Sequence, residues 1–257
     1  MADGRLWKAF RIRGATVGTR TESTGDVDHP SLTVTVTDPD VADAAVRCVG
    51  DYLSVHDDLA PFLAVANDDP PTAVRVREMH GMHHVRFPTP FEAACWAVLS
   101  QRTPIPMARR TKDAVTAAFG DAVEMDGHRL LAFPDAEDLA AAGDEAVEEV
   151  VRNPRRARYL LAVTRAFRDV DDEFLRGAPV AEVHAWLRAI DGIGEWSAAF
   201  VLFRGLGRIE DMPVTEPFLR AARPVYGPGA TDDDIRLAAA RYGPWAGYWG
   251  LYLRAPI

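Results

Sequence analysis

Two different spacings of apolar residues run along this chain. From Ser31 to Thr37 residues alternate strictly, with Leu32, Val34 and Val36 on one face, and Ala73 to Arg77 repeats the alternation with Val74 and Val76. Period-two alternation predicts half-buried strands. Between them Asp38-Pro39-Asp40 opens a helix predicted over 40–55, with Ala44, Ala45, Val49, Tyr52 and Leu53 at helical spacing. Pro88-Thr89-Pro90 marks a break, and beyond it the spacing is helical. Helices are predicted over 91–101 and 105–119, the second ending at Gly120, with short acidic helices over 135–151. Asn153-Pro154 opens an arginine-rich helix whose apolar stripe is Tyr159, Leu160, Val163 and Phe167. Val183, Trp186, Leu187 and Ile190 fall on one helical face, and Trp196, Ala199, Phe200 and Phe203 on another. Together these spacings predict an α+β chain: a small N-terminal α+β domain over 1–85, then a mainly helical region over 86–257.

Composition changes this picture in three ways. With 257 residues, 48% of them hydrophobic, the chain can bury a sizeable core in one large domain or two small ones. It has no run of 18 apolar residues, and MADGRLWKAF lacks an apolar signal core, so a cytoplasmic protein with no membrane partner is expected. The net charge of −9 argues against a broad basic face for nucleic acid, but the charge is unevenly spread. Residues 135–149 hold seven acids and no base, whereas 151–168 hold six arginines and no acid. That stretch is either a local positive patch or a solvated helix face. The only lysines are Lys8 and Lys112, which restricts any chemistry needing an amine nucleophile. Cys48 and Cys95 sit in apolar helical patterns and read as buried free thiols, too few for a four-cysteine iron–sulfur cluster. His80, His83 and His84 lack a third metal ligand at convincing spacing and read as a linker loop.

The most specific local pattern is Leu187-Arg-Ala-Ile-Asp-Gly-Ile-Gly-Glu-Trp-Ser197. Two glycines flanking one apolar residue between two helices predict a very tight turn. Gly192 and Gly194 can take positive φ without steric cost, and Ile193 can point inward to pin the helices. The amides of the turn and of the next helix start then face outward as an anion site. A DNA phosphate fits there without any lysine. An ordinary corner with a glycine cap is the alternative.

Residues 187–204, LRAIDGIGEWSAAFVLFR, resemble the hairpin of the helix-hairpin-helix DNA glycosylases, placing that motif at about 183–204. FEAACWAVLSQ over 91–101, Phe133-Pro134 with Leu139-Ala140-Ala141, Asn153 to Leu160 and Pro244-Trp245-Ala246-Gly247-Tyr248 are similar to segments of the alkylpurine branch, the 3-methyladenine DNA glycosylase II family. The resemblance implies a monofunctional enzyme of base excision repair. It would act as a monomer on double-stranded DNA and associate with the nucleoid when bound. A damaged purine is flipped from the duplex and its N-glycosidic bond hydrolysed, while a carboxylate stabilises the cationic sugar. The implied phosphate holders are Gly192, Ile193, Gly194 and Ser197. Trp196 and Phe200 line the base pocket, and Gln101 and Arg102 meet the duplex. No cofactor is implied beyond a monovalent cation on the backbone carbonyls of Arg188, Ile190 and Ile193.

Three positions depart from that family. Its catalytic aspartate falls, without gaps, on Glu216 in Pro213-Val214-Thr215-Glu216-Pro217-Phe218-Leu219-Arg220; an alternative spacing places Thr215 there and leaves no acid. Arg102 stands where the branch carries a leucine wedge, and Arg254 where it carries a second pocket tryptophan. These changes keep two other readings open: a non-catalytic damaged-DNA-binding protein of the same fold, and a glycosylase for another lesion class. Asp211 reads as a solvated loop acid, and Asp232-Asp233-Asp234 as a helix start.

Overall fold

The computed structural model of the chain describes residues 4–209 and 214–255; Asp211 lies outside them. Strands β1 (Arg5–Ile12), β2 (Ala15–Ser23) and β3 (Leu32–Val36) form an antiparallel meander in that order. Arg13-Gly14 turns β1 into β2 with φ of 51° and 78°, the turn whose twist matches that of the strands. A second hairpin, β4 (Asp121–Met125) and β5 (His128–Ala132), turns at Asp126-Gly127 with φ of 51° and 77°. It packs on the meander: Asp126 accepts hydrogen bonds from Trp7 Nε1 at 3.1 Å and Arg20 at 2.7 Å.

Helix α1 (Ala42–Leu53) covers the opposite face of the meander through Phe10, Ile12, Val17, Ala45 and Val49. Next come α2 (Ala60–Asn67) and α3 (Pro70–Glu78). The strand predicted at 73–77 is therefore a helix. Two prolines fit its first turn, Thr72, Ala73 and Val76 are buried, and Val74 is 46% exposed. Its alternation was two helical positions that happened to carry valine.

Helices α4 (Pro90–Leu99), α5 (Ile105–Phe119), α6 (Ala136–Ala142), α7 (Asp144–Val151), α8 (Pro154–Asp169), α9 (Asp172–Gly177), α10 (Val180–Ala189) and α11 (Glu195–Val201) follow, α11 running into a π-helical turn over Leu202–Leu206. Side chains predicted to start helices do so: Thr89 accepts from the Glu92 amide and Asn153 from the Arg156 amide, each at 3.0 Å. Helix α4 is the axis of this lobe, its Val98 and Leu99 sharing one core with Val115, Leu139, Leu160 and Leu187. Inside it, Lys112 Nζ lies 2.8 Å from the buried Glu92 carboxylate.

The last helices, α12 (Glu216–Tyr226), α13 (Asp232–Arg241) and α14 (Ala246–Arg254), build a third core together with α2 and α3. Phe62 sits among the rings of Tyr242, Tyr248 and Tyr252. The buried Asp69 accepts from Thr72 at 2.9 Å, from Tyr242 at 2.7 Å and from Tyr226. Two helical lobes thus face each other, and the site lies between them. Among the described residues no helix is long and apolar enough to cross a membrane.

Candidate functional site

The hairpin between α10 and α11 forms one wall. Ile190 ends α10, and its carbonyl accepts from the Ile193 amide at 3.0 Å, closing the turn. Ile193 is buried at 5% exposure and ties the two helices to the core, as the sequence predicts. The glycines differ from expectation. Gly192 has φ +91°, and an added Cβ would lie 2.4 Å from the Tyr159 ring. Gly194 has φ −88°, so it needs no left-handed freedom, and an added Cβ would meet nothing nearer than 4.0 Å. The fold requires glycine at 192; at 194 it leaves bare backbone open to the outside. No side chain caps α11, and the first amides of a helix have no partner within it. This start is a ready anion site.

Gln101, just past the end of α4, is half-buried and turns toward the hairpin. Its Nε2 donates to the Gly192 carbonyl at 2.6 Å and lies 3.4 Å from Ser197 Oγ. It locks the hairpin onto α4. The Ser197 hydroxyl is buried at 3% exposure and faces Gln101, so a phosphate would meet this residue only through its backbone. The neighbouring Arg102 is exposed and has φ 48°. Its left-handed backbone follows the end of α4, as at Ser54 after α1 and Arg152 after α7.

Arg102, Ile105, Arg155, Arg204 and Arg254 line an open trough of about 980 Å³ with the hairpin, and among the described residues Glu195 is the one acid on its wall. The arginine-rich helix therefore divides its labour. Arg155 faces the trough, braced on Tyr159 by a 3.3 Å hydrogen bond. Arg158, Arg165 and Arg168 pair with Asp191, Asp144 and Asp169. Both readings of this stretch hold, each for part of the helix.

The trough opens into a cavity of about 380 Å³ between the lobes, lined by Trp196, Phe200, Phe203, Arg204, Phe218, Gly247, Leu251, Arg254 and Ala255. Trp196 and Phe200 stack at 5.1 Å and 27°, and Phe87 meets Phe200 edge-on at 5.7 Å. The structure thus brings Trp196, Phe200 and Arg254 together, as the resemblance implies. Sequence reasoning missed Arg204, although it lies eight residues after Trp196, on nearly the same helical face. It missed Phe218 as well, and no spacing signals that residue. Arg204 donates to the Val85 carbonyl at 2.6 Å; burial, then the charge of Arg254, holds its guanidinium below the ordinary arginine value.

Glu216 starts α12, two residues before Phe218, but is not among the residues lining the cavity. Its carboxylate is exposed and accepts from Arg223 at 2.9 and 3.3 Å, and Arg223 also binds Asp232 at 2.9 Å. The hydrogen bond from Arg223 holds the carboxyl below its ordinary value, so it is a carboxylate at neutral pH. Neither Lys8 nor Lys112 lines the cavity. The three histidines of this segment are each hydrogen-bonded within the protein: His80 to Asp28, His83 to the Ser54 carbonyl, and the buried His84 to the Ser54 hydroxyl. Both cysteines are free, Cys95 buried and Cys48 half-buried.

No family model matches the chain. The DNA-3-methyladenine glycosylase of Bacillus subtilis is 26% identical over 213 residues, 81% of this chain and 70% of that protein. A probable bifunctional transcriptional activator/DNA repair enzyme AlkA of Mycobacterium tuberculosis is 28% identical over 213 residues, 81% of this chain and 42% of its own length. Among solved structures, the 3-methyladenine DNA-glycosylase from Archaeoglobus fulgidus shares the fold with a TM-score of 0.84 at 21% identity, covering 98% of this chain and 87% of that one. The Clostridium acetobutylicum 8-oxoguanine glycosylase/lyase, solved with double-stranded DNA containing cytosine opposite 8-oxoG, has a TM-score of 0.72 at 18% identity, covering 96% of this chain and 86% of that one. By sequence the chain is thus similar to DNA-3-methyladenine glycosylases, and it shares its fold with solved DNA glycosylases.

Proposed function

We propose that this chain is a monofunctional DNA glycosylase that hydrolyses the N-glycosidic bond of alkylated purines, of the 3-methyladenine type, in base excision repair. The observation that carries this reading is the aromatic cavity opening into an arginine-flanked trough beside the bare Gly194 backbone. The amides at Gly194 and the start of α11 hold a phosphate of double-stranded DNA. Arg102 enters the gap left by the flipped base, and the base stacks on Trp196. Glu216 leaves Arg223 to supply negative charge toward the cationic sugar. Lysine is absent from the cavity lining, which supports hydrolysis over Schiff-base chemistry. The carbonyls of Arg188, Ile190 and Ile193 are an all-oxygen donor set suited to a monovalent cation, and the Ile190 oxygen keeps one lone pair after accepting from Ile193. The protein acts as a monomer.

One observation favours a second reading, a binding protein that releases no base: the Glu216 carboxylate is engaged by Arg223, away from the cavity lining. Release of 3-methyladenine and 7-methylguanine from methylated DNA by wild type, Glu216→Gln and Glu216→Asp separates the two. Wild-type release that collapses in Glu216→Gln is the expected result. No release by any of the three, with DNA binding retained, overturns the alkylpurine reading in favour of the binding protein or of a glycosylase for another lesion class.

A further inference from the structure

Just beyond Arg102 the chain runs through Pro104-Ile105-Pro106-Met107 into α5. Ile105 is 53% exposed and, among the described residues, the one exposed large apolar side chain on the trough wall. Its backbone has little freedom. Prolines flank it, and the Pro104 carbonyl accepts from the Met107 amide at 2.9 Å and the Ala108 amide at 3.0 Å. Thr103 Oγ1 in turn donates to the Gln101 carbonyl at 2.8 Å, so Arg102 and Ile105 are carried on one tied turn. An apolar side chain held at a fixed place in water gains stability when apolar surface covers it. The arginines around it select that cover. Arg102, Arg155, Arg204 and Arg254 suit phosphates, and the apolar surface that a polyanionic duplex offers is the face of a base pair.

We propose that Ile105 is an apolar wedge against the duplex: it packs on the face of the base pair beside the gap, while Arg102 occupies the gap itself. Extruding a base leaves its neighbour's face without a stacking partner. A guanidinium covers such a face at the expense of its own hydration, whereas the branched side chain of Ile105 covers it and leaves water at the same time. Apolar side chains pressed on a base step keep the step unstacked and the duplex bent. This placement rests on the reading of the trough as the duplex site and is independent of whether a base is released. Ile105 touches no reacting atom; it is a positioning residue that prolongs the extruded state. Met107 is its natural contrast, 54% exposed but lining the groove between α5 and α7 instead of the trough.

The test compares wild type, Ile105→Ala, Ile105→Leu and Met107→Ala. Fluorescence anisotropy gives their binding to a duplex with one tetrahydrofuran abasic analogue and to the same duplex undamaged, and 2-aminopurine in the pair beside the analogue reports stacking. Ile105→Ala should lose about five- to tenfold in affinity for the abasic duplex, lose little for the undamaged one, and give a smaller rise in 2-aminopurine fluorescence. Its salt dependence should match wild type, because no phosphate contact is removed. Ile105→Leu should restore affinity and fluorescence, and Met107→Ala should behave as wild type. All variants should melt like wild type, since both side chains are exposed. Unchanged affinity of Ile105→Ala for the abasic duplex, an equal loss on both duplexes, or a matching loss in Met107→Ala overturns the wedge; methylpurine release by wild type then leaves the glycosylase reading standing. If wild type releases no methylpurine but its preference for the abasic duplex falls in Ile105→Ala, that reading fails and the wedge stands. A wild type without that preference overturns the wedge as well.

Discussion

Gly192 and Gly194 sit two residues apart and serve different ends, which makes them separable by experiment. Gly192→Ala forces a side chain into the left-handed region and against Tyr159, 2.4 Å away. A loss of about 1–3 kcal/mol in urea unfolding is expected. Gly194→Ala meets no neighbour within the fold and has an ordinary φ of −88°, so its stability should match wild type within about 0.5 kcal/mol. Its DNA affinity, read by fluorescence anisotropy, should nevertheless drop. Unchanged affinity in Gly194→Ala would sink the phosphate site. The glycine pair was plain in the sequence, but its division of labour was not, because φ at each position depends on where the Tyr159 ring lies. Glu216 makes the same point from the other side. Its register was legible, whereas its partner Arg223, seven residues on, depends on how the side chains settle around the start of α12.

At the scale of the element, helix starts were the most legible feature. Capping is local chemistry, and Thr89, Asn153 and the acidic start of α13 behave as written, Thr231 and Asp234 forming a reciprocal cap. The strands were less so. Ala9 and Phe10 are both buried, because α1 and the second hairpin cover opposite faces of the meander. That double burial erases the alternation on which a strand reading depends. Asp126-Gly127 was a turn signal in plain view, but its flanking strands are too short to alternate clearly. Helix α8 carries a prediction of its own. Arg155 faces the trough whereas Arg165 pairs with Asp144 on the surface. Arg155→Ala should weaken binding to damaged and undamaged DNA alike and lower the salt slope by about one phosphate contact, while Arg165→Ala should leave both unchanged. Within the helical lobe, removing Lys112 strands the buried Glu92 carboxylate, and Lys112→Ala should cost about 3–5 kcal/mol in chemical denaturation.

Across the whole molecule, the join between the lobes is polar and titratable. His84 is buried between Phe203, 4.4 Å away in a stacked arrangement, and Tyr248. Its Nε2 faces the Phe203 carbonyl at 3.4 Å and so carries the proton, while Nδ1 accepts from Ser54 at 3.1 Å. Tyr248 gives its own proton to Asp57 at 2.5 Å. Asp57 lies 3.8 Å from Nδ1; burial, followed by the charges of Arg204 and Arg86, outweighs the hydrogen bond to the Phe203 carbonyl and lowers the pKa from 6.5 to about 3. The unfolded chain therefore binds this proton more readily than the folded one. The stabilisation is complete above pH 6.5 and is lost as pH falls from there toward 3, at up to about 1.4 kcal/mol per pH unit. His84→Gln should flatten that limb of the stability profile, as followed by thermal unfolding from pH 7 to 4. An unchanged limb would place the acid sensitivity elsewhere.

By itself the sequence determined most of the helices beyond Pro90 with their starts, the tight hairpin with an inward Ile193, the near-absence of lysine and the resemblance to DNA glycosylases. All of these rest on chemistry within a few residues of the chain or on spacing along one helix. Only the tertiary structure decided that residues 73–77 are helical, that Gln101 and Ser197 meet across the hairpin, and that Glu216 is held by Arg223. It alone placed Arg204 and Arg254 in one cavity. Each of those outcomes depends on groups far apart in the chain meeting across the space between two lobes, and no periodicity records such a meeting.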